Sequence, residues 1–262
     1  ERHRMHRQDH RHGWYDQWLE RIHRFLLHPI RPNSTNINST VTSTAVVIVS
    51  NLHAVYGKNE VLHGLSLTIN QGEFVGVHGP SGCGKSTLLH VIGGLHHSFS
   101  GSLAVAGMDL SLVDQGDILR LRRESIGFVF QDAFLINEFS LRDNVELPLV
   151  LQGVNTSERR QIVDNTLSEF GLLDQAKKFP HELSGGQVQR GAVARALVNN
   201  PSLVLADEPT GSLDRENGRI VMTSLSRAAR DRNATVILVS HDEEALSYCD
   251  RTIELLDGVI IE

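Results

Sequence analysis

The chain of 262 residues is 40% hydrophobic, with 22 Gly and 7 Pro. That suits one α/β domain, or two small ones, with an ordinary core, and it excludes collagen-like, low-complexity and disulfide-stapled classes. The formal charge of −6 conceals an asymmetry: seven Arg against four acidic residues give 1–32 a net +3, and 18 basic against 27 acidic residues leave 33–262 at −9. So acidic a body argues against a duplex nucleic-acid partner.

Two widely separated cysteines, Cys83 and Cys249, with no secretory leader ahead of them, favour free thiols in a reducing, cytoplasmic compartment. No apolar run approaches the roughly 18 residues that a membrane-spanning helix needs. Taken in chain order, residues 1–32 interleave six His with seven Arg, and Trp14, Trp18, Ile22 and Phe25 recur at helical spacing. This predicts one amphipathic helix for a membrane surface or a partner helix; the alternative is an appendage whose amphipathicity is chance. Residues 33–44 are small and polar, a linker composition, so the domain is expected to begin near Ala45. The Asn-x-Ser/Thr matches at Asn33, Asn38, Asn155 and Asn233 would be acceptor sites only in a secreted protein and are read as chance.

From Ala45 onward, strands are predicted at 46–49, 65–69, 74–77, 126–130, 203–206 and 235–239, several of them continuously apolar. Apolar strands alternating with helical patterns predict a parallel sheet covered on both faces, an α/β domain. Between 140 and 183 the pattern turns helical, over 141–151 and 157–170, which predicts a helical subdomain inserted in the α/β core.

The strand at 74–77 runs into Gly79, Pro80, Ser81, Gly82, Cys83, Gly84, Lys85, Ser86 and Thr87, and then into an apolar helix over 88–92. Strand, loop and helix thus come in the order a phosphate cradle requires. The glycines let backbone N–H groups converge on phosphate oxygens, and the helix N-terminus adds partial positive charge. Lys85 suits the β- and γ-phosphates and the Ser86 hydroxyl suits Mg2+, whereas a simple Gly-rich turn does not account for Lys-Ser at the helix start. The apolar run 203–206 ends in Asp207-Glu208-Pro209, placing two carboxylates at the carboxyl edge of a buried strand, where open parallel sheets bind ligands. Asp207 suits a Mg2+ shell. Glu208 suits a general base acting on a water in line with the γ-phosphate; the alternative is two solvated acids ending a strand. Ser184, Gly185, Gly186 and Gln187 lead into a helix over 187–198, a second anion-binding N-terminus or a plain cap and turn.

Leu183-Ser184-Gly185-Gly186-Gln187, followed by Val188-Gln189-Arg190 and lying between the phosphate loop and Asp207-Glu208, resembles the signature of ATP-binding cassette (ABC) proteins. The resemblance covers roughly 46–262. It implies a P-loop NTPase cassette with a mainly parallel core sheet, an antiparallel β subdomain and the inserted helical subdomain. It further implies an ATPase using ATP and Mg2+, in which Ser184–Gln187 binds the γ-phosphate held by a second copy and two cassettes close head to tail as a homodimer. By the same resemblance Tyr56 stacks on adenine, or is an edge-strand core aromatic. Gln131 touches Mg2+ or water and faces the membrane partner, Asp214 of Ser212-Leu213-Asp214 crosses the dimer interface, and His241 holds the γ-phosphate and orients water beside Glu208.

Gly93-Gly94-Leu95, Phe128-Val129-Phe130-Gln131, Asn144-Val145-Glu146-Leu147-Pro148 and residues 205–211 look most like the lipoprotein-releasing and macrolide-export branch, with the cell-division cassette a near neighbour. That branch implies peripheral attachment to the cytoplasmic side of the cell (inner) membrane and a polytopic permease with a large extracytoplasmic domain. A soluble ABC ATPase acting on DNA, ribosomes or iron–sulfur assembly is the rival, disfavoured because only 98 residues separate Lys85 from Ser184, without sustained heptads. A non-hydrolysing nucleotide-gated module is disfavoured by the presence of Glu208 and His241. His78 before the phosphate loop, Gly191 after the signature, where Val is usual, and His96-His97 depart from the pattern.

Overall fold

The computed structural model describes residues 45–261; the amphipathic helix expected within 1–32 and the linker at 33–44 lie outside the described residues. The elements in order are β1 (Ala45–Tyr56), β2 (Asn59–Asn70), β3 (Phe74–His78), α1 (Lys85–Ile92), β4 (Phe99–Val105), β5 (Met108–Asp109), α2 (Gln115–Ser125), β6 (Ile126–Val129), α3 (Leu141–Leu151), α4 (Thr156–Glu169), α5 (Gly185–Leu197), β7 (Leu203–Asp207), α6 (Arg215–Arg232), β8 (Thr235–Val239), α7 (Glu243–Leu246), β9 (Arg251–Leu256) and β10 (Val259–Ile261).

The strands form two sheets. One has the order β10-β9-β3-β8-β7-β6, in which β9, β3, β8, β7 and β6 run parallel and β10 returns antiparallel to β9. Its central strands are apolar on both faces because both faces are covered. Leu203, Leu205, Ile237 and Val239 pack with α1 and α2, while Val204, Ala206, Val236 and Leu238 pack with α3 to α6. Each such buried Val or Leu contributes roughly 1.5–3 kcal/mol.

The second sheet is antiparallel, in the order β2-β1-β4-β5. The expectation that 46–49 and 65–69 belong to the parallel sheet is corrected here. These residues are the start of one twelve-residue strand and the end of another, joined by a Gly57-Lys58 turn, and they pair antiparallel with Val47 opposite Ile69. The antiparallel subdomain that the family resemblance implied is this sheet. In it buried Val49, Leu65, Leu67 and Ile69 alternate with exposed Ile48, Ser50, Ser66, Thr68 and Asn70, the period of a sheet with one wet face.

Within 140–183 the described elements are α3 and α4, followed by short 3-10 turns at Leu173–Gln175 and Pro180–Glu182, with no strand among them. Ser140 caps α3 reciprocally with Asp143, and Asn155 caps α4 by accepting from the Glu158 N–H; with Asn233 at the C-cap of α6, two of the four sequon asparagines sit at helix caps. Leu141, Val145, Leu149, Val163 and Leu167 pack in one cluster with Ala192 and Val193 of α5. The helical insertion therefore shares its core with the helix that follows it.

Candidate functional site

Sheet register lays out the site. Val77 on β3 and Asp207 on β7 both pair with Val239 on the intervening β8, so the three residues share one row across the sheet. At the usual strand spacing this puts Asp207 about 10 Å from Val77. The chain leaves the same edge at all three strands: into Gly79–Thr87 after β3, into Glu208 after β7, and through Ser240 to His241 after β8. Glu208 N–H donates to the Val239 carbonyl (2.9 Å) and Ser240 N–H to the Val77 carbonyl (3.2 Å), stitching these exits together.

The loop at 79–87 has its glycines where geometry demands them. Gly79 (φ 145°) and Gly84 (φ 107°) lie in the left-handed half of backbone space, and a Cβ on Gly79 would meet the Leu255 carbonyl oxygen. Gly84 is the N-cap of α1 and offers no side-chain cap, whereas α2 to α7 are capped by Asp114, Ser140, Asn155, Ser184, Asp214 and Asp242. The first-turn N–H groups of α1 are thus left for an anion. Lys85 Nζ donates to the carbonyls of Gly79 and Pro80, each at 2.8 Å, so its charge is held over the loop. Pro80, Ser81, Gly82 and Ser86 are exposed, Thr87 is half-buried, and Cys83 is buried beneath the loop, where its carbonyl accepts from the Gly258 N–H. Cys83 and Cys249 are both free, and burial pushes the Cys249 thiol up to about 12.

Glu208 sits at φ 46°, a left-handed conformation unusual for a side-chain-bearing residue. Its carboxylate accepts from His241 Nδ1 at 2.8 Å; the Glu208 side chain is 15% exposed and that of His241 75%. The hydrogen bond to Glu208 is the main cause that raises the His241 pKa, followed by the carboxylate's charge. Asp207 is half-buried at the strand end, and Gln131 is exposed just beyond β6, which stops at Val129. The hydroxyl of Ser86, the carboxylate of Asp207 and the amide oxygen of Gln131 are hard oxygen donors of the kind Mg2+ takes, so the donor set fits. Tyr56, 45% exposed at the end of β1, stacks on His96.

Ser184 and Gln187 cap α5 reciprocally: Gln187 N–H donates to Ser184 Oγ (3.3 Å) and Ser184 N–H to Gln187 Oε1 (3.0 Å). A Cβ on Gly185 would stand in open space, while one on Gly186 would meet the Asn217 amide at 2.6–2.8 Å. Asn217 in turn donates to both carboxylate oxygens of Asp214, from its N–H (2.8 Å) and Nδ2 (2.7 Å), and these bonds hold the Asp214 pKa down. The Ser184–Gly186 turn and Asp214 are thereby linked through one side chain.

Three residues outside the sequence-level candidates shape the site. Gln189, 3% exposed, donates to the carbonyls of Phe130 (3.0 Å) and Pro209 (3.1 Å), tying α5 to both strand exits. Arg195 donates to the Ala133 and Phe134 carbonyls and fixes the segment after Gln131. Asn217 is the third. A polar residue on the apolar face of a helix, as Gln189 is, was the one readable signal. The other two depend on which segments meet.

Among the described residues no helix is long and apolar enough to cross a membrane. Residues 62–211 match the ABC transporter family. The chain is 40% identical over 221 residues to the uncharacterized ABC transporter ATP-binding protein MJ1508 of Methanocaldococcus jannaschii, covering 83% of this chain and 98% of that one. It is 44% identical over 202 residues to the macrolide export ATP-binding/permease protein MacB of Escherichia coli K12, covering 77% of this chain but 31% of MacB. A dimeric structure of the ATP-binding cassette MJ0796 in a post-hydrolysis state, bound to ADP and Pi, matches with a TM-score of 0.77 at 37% identity, over 82% of this chain and 97% of that one. Cassettes of this kind act as dimers. The uncapped α1 over a glycine-built loop, the carboxylates at the sheet edge and these likenesses agree: the chain belongs to the ABC transporter family, as its ATP-binding and ATP-hydrolysing domain.

Proposed function

We propose that two copies of this domain close head to tail on two Mg2+-bound ATP molecules and transmit that closure to a polytopic membrane permease with a large extracytoplasmic domain. The transport mode is export or extrusion of the lipoprotein-releasing or macrolide type, and the work is done on the cytoplasmic face of the membrane. Support for the nucleotide's place comes chiefly from α1, whose uncapped N-terminus lies on the same sheet edge as Asp207 and the Glu208–His241 pair.

In this reading Gly79–Thr87 wraps the phosphates with backbone N–H groups and Lys85 exchanges its loop carbonyls for phosphate oxygens. Ser86, Asp207 and Gln131 would hold Mg2+, which when bound offsets phosphate charge and orients the β- and γ-phosphoryl oxygens. Glu208 takes the proton from the attacking water. His241 holds the Glu208 carboxylate in place and faces the γ-phosphate. Ser184–Gln187 of each copy meets the nucleotide of the other, with Asp214 crossing between them. MacB carries its ATP-binding and permease parts in one protein, which supports a permease as the partner here.

The test is a tagged Glu208→Gln chain. Turnover is expected to fall at least 100-fold, the lower range for loss of a general base, with ATP binding kept. With Mg-ATP it should sediment as a dimer and capture a polytopic protein from detergent-solubilised native membranes. Undiminished turnover would refute the base assignment, a persistent monomer the head-to-tail closure, and capture of soluble partners alone the transporter role.

A further inference from the structure

His96 has no part in the site as described, yet it touches the residue read as the nucleobase platform. The imidazole lies on the Tyr56 ring with centroids 4.1 Å apart and planes 23° from parallel. Its Nε2–H donates to the carbonyl of Val55, the residue before Tyr56, at 3.0 Å. The imidazole is therefore fixed at two points on the end of β1. Its own backbone is fixed to the other half of the site: the N–H groups of Leu95 (2.8 Å) and His96 (3.1 Å) both donate to the carbonyl of His90, in the last turn of α1. The connection closes two residues further on, where Val55 N–H donates to the Ser98 carbonyl at 3.0 Å. A short brace thus runs from the C-terminus of the helix that starts at the phosphate loop to the aromatic ring at the end of β1.

A tyrosine at the end of a strand turns freely unless something lies against it. Here one face of the ring lies against His96, and the residue is still 45% exposed. We propose that His96 is a positioning residue for the nucleobase: it fixes the plane of Tyr56 and its distance from α1, so that the purine of a nucleotide held by the phosphate loop stacks on the face His96 leaves open. The proposal rests on Tyr56 being the base platform, and it makes His96 a determinant of affinity for the base and not for the phosphates.

The experiment compares equilibrium binding of ATP and of inorganic tripolyphosphate, which lacks a base, to the full chain and to His96→Ala, His96→Phe, His96→Gln and Tyr56→Ala, with unliganded thermal melts as a folding check. An aromatic pair of ordinary strength predicts that His96→Ala weakens ATP binding by roughly three- to tenfold and leaves tripolyphosphate binding within about twofold. In steady state KM rises by the same factor and kcat moves less. His96→Phe, which keeps a stacking plane, should recover most of the loss. Loss of tripolyphosphate binding in step with ATP, or ATP affinity unchanged in both His96→Ala and His96→Phe while Tyr56→Ala weakens it, would overturn the role of His96. Recovery by His96→Gln but not by His96→Phe would transfer the effect to the Val55 hydrogen bond and overturn the stacking role. ATP affinity unchanged in Tyr56→Ala would overturn the platform reading and the proposal with it.

Discussion

Glu208 is held in a left-handed backbone conformation by its N–H bond to Val239 and by its carbonyl, which accepts from the Gly211 N–H at 3.1 Å. Such a conformation costs on the order of 1–3 kcal/mol and persists only where its surroundings over-determine it. The result is a carboxylate aimed at His241 across 33 residues of sequence. The adjacent acids were legible because an apolar run ends in them, but the nearness of His241 to Glu208 came only through the family resemblance, since it requires β7 and β8 to be neighbours. A raised pKa for His241 means that the charged contact stabilises the fold in full below the ordinary value of 6.5 and is lost as pH climbs through the raised one. With His241 largely exposed the stability change is small, so the readout is titration: by NMR, His241 should titrate above 6.5 in the wild type and return towards 6.5 in Glu208→Gln. Equal midpoints would mean that the pair does not form in solution. At the loop itself, Lys85→Ala is expected to weaken ATP binding by at least tenfold in an equilibrium assay, the scale of a lost charge-assisted phosphate contact; wild-type affinity would remove the lysine from phosphate binding.

Among the strands, those whose apolar residues run on or alternate strictly over four or five positions were readable, and the short or sparsely apolar ones were not. β9 and β10 show why: in β9 only Ile253 and Leu255 are buried, between exposed Arg251, Thr252, Glu254 and Leu256, and β10 is three residues long. β4, whose inward residues begin only at Leu103, escaped for the same reason. Gly191, which departs from the family pattern, is explained by packing. A Cβ there would come within 2.5 Å of the buried Leu141 on α3 and 3.4 Å of Leu135. Gly191→Ala gains up to about 1 kcal/mol of helix propensity and incurs about 1–3 kcal/mol of overpacking. A net destabilisation on the order of 1 kcal/mol should appear in urea melts, and a clear stabilisation would show that α3 yields easily to α5.

For the whole molecule, 83% of this chain suffices to cover 98% of MJ1508, and the described residues 45–261 hold two apolar clusters of their own. A chain beginning at Ala45 should therefore keep its thermal midpoint and bind ATP within about twofold of the full chain; a larger loss in isothermal titration would assign residues 1–44 a part in nucleotide binding. The overall plan was legible in outline because the phosphate loop and the signature bracket the helical stretch. The second sheet was visible only through the family resemblance, since an apolar run does not reveal which strand it pairs with.

The seat of the phosphate loop is made by residues far downstream of it in the sequence. Phe74, which opens β3, exchanges hydrogen bonds with Asp250 across a separation of 176 residues, and Gly79 and Cys83 rest against Leu255 and Gly258. At about 5–20 residues per second on the ribosome, that separation takes roughly 9–35 s to synthesise. During this interval the loop exists without its floor, so a nascent chain cannot capture ATP in the mature geometry until β9 and β10 have emerged, and nucleotide capture waits on the last sheet strands of the cassette rather than on the loop itself.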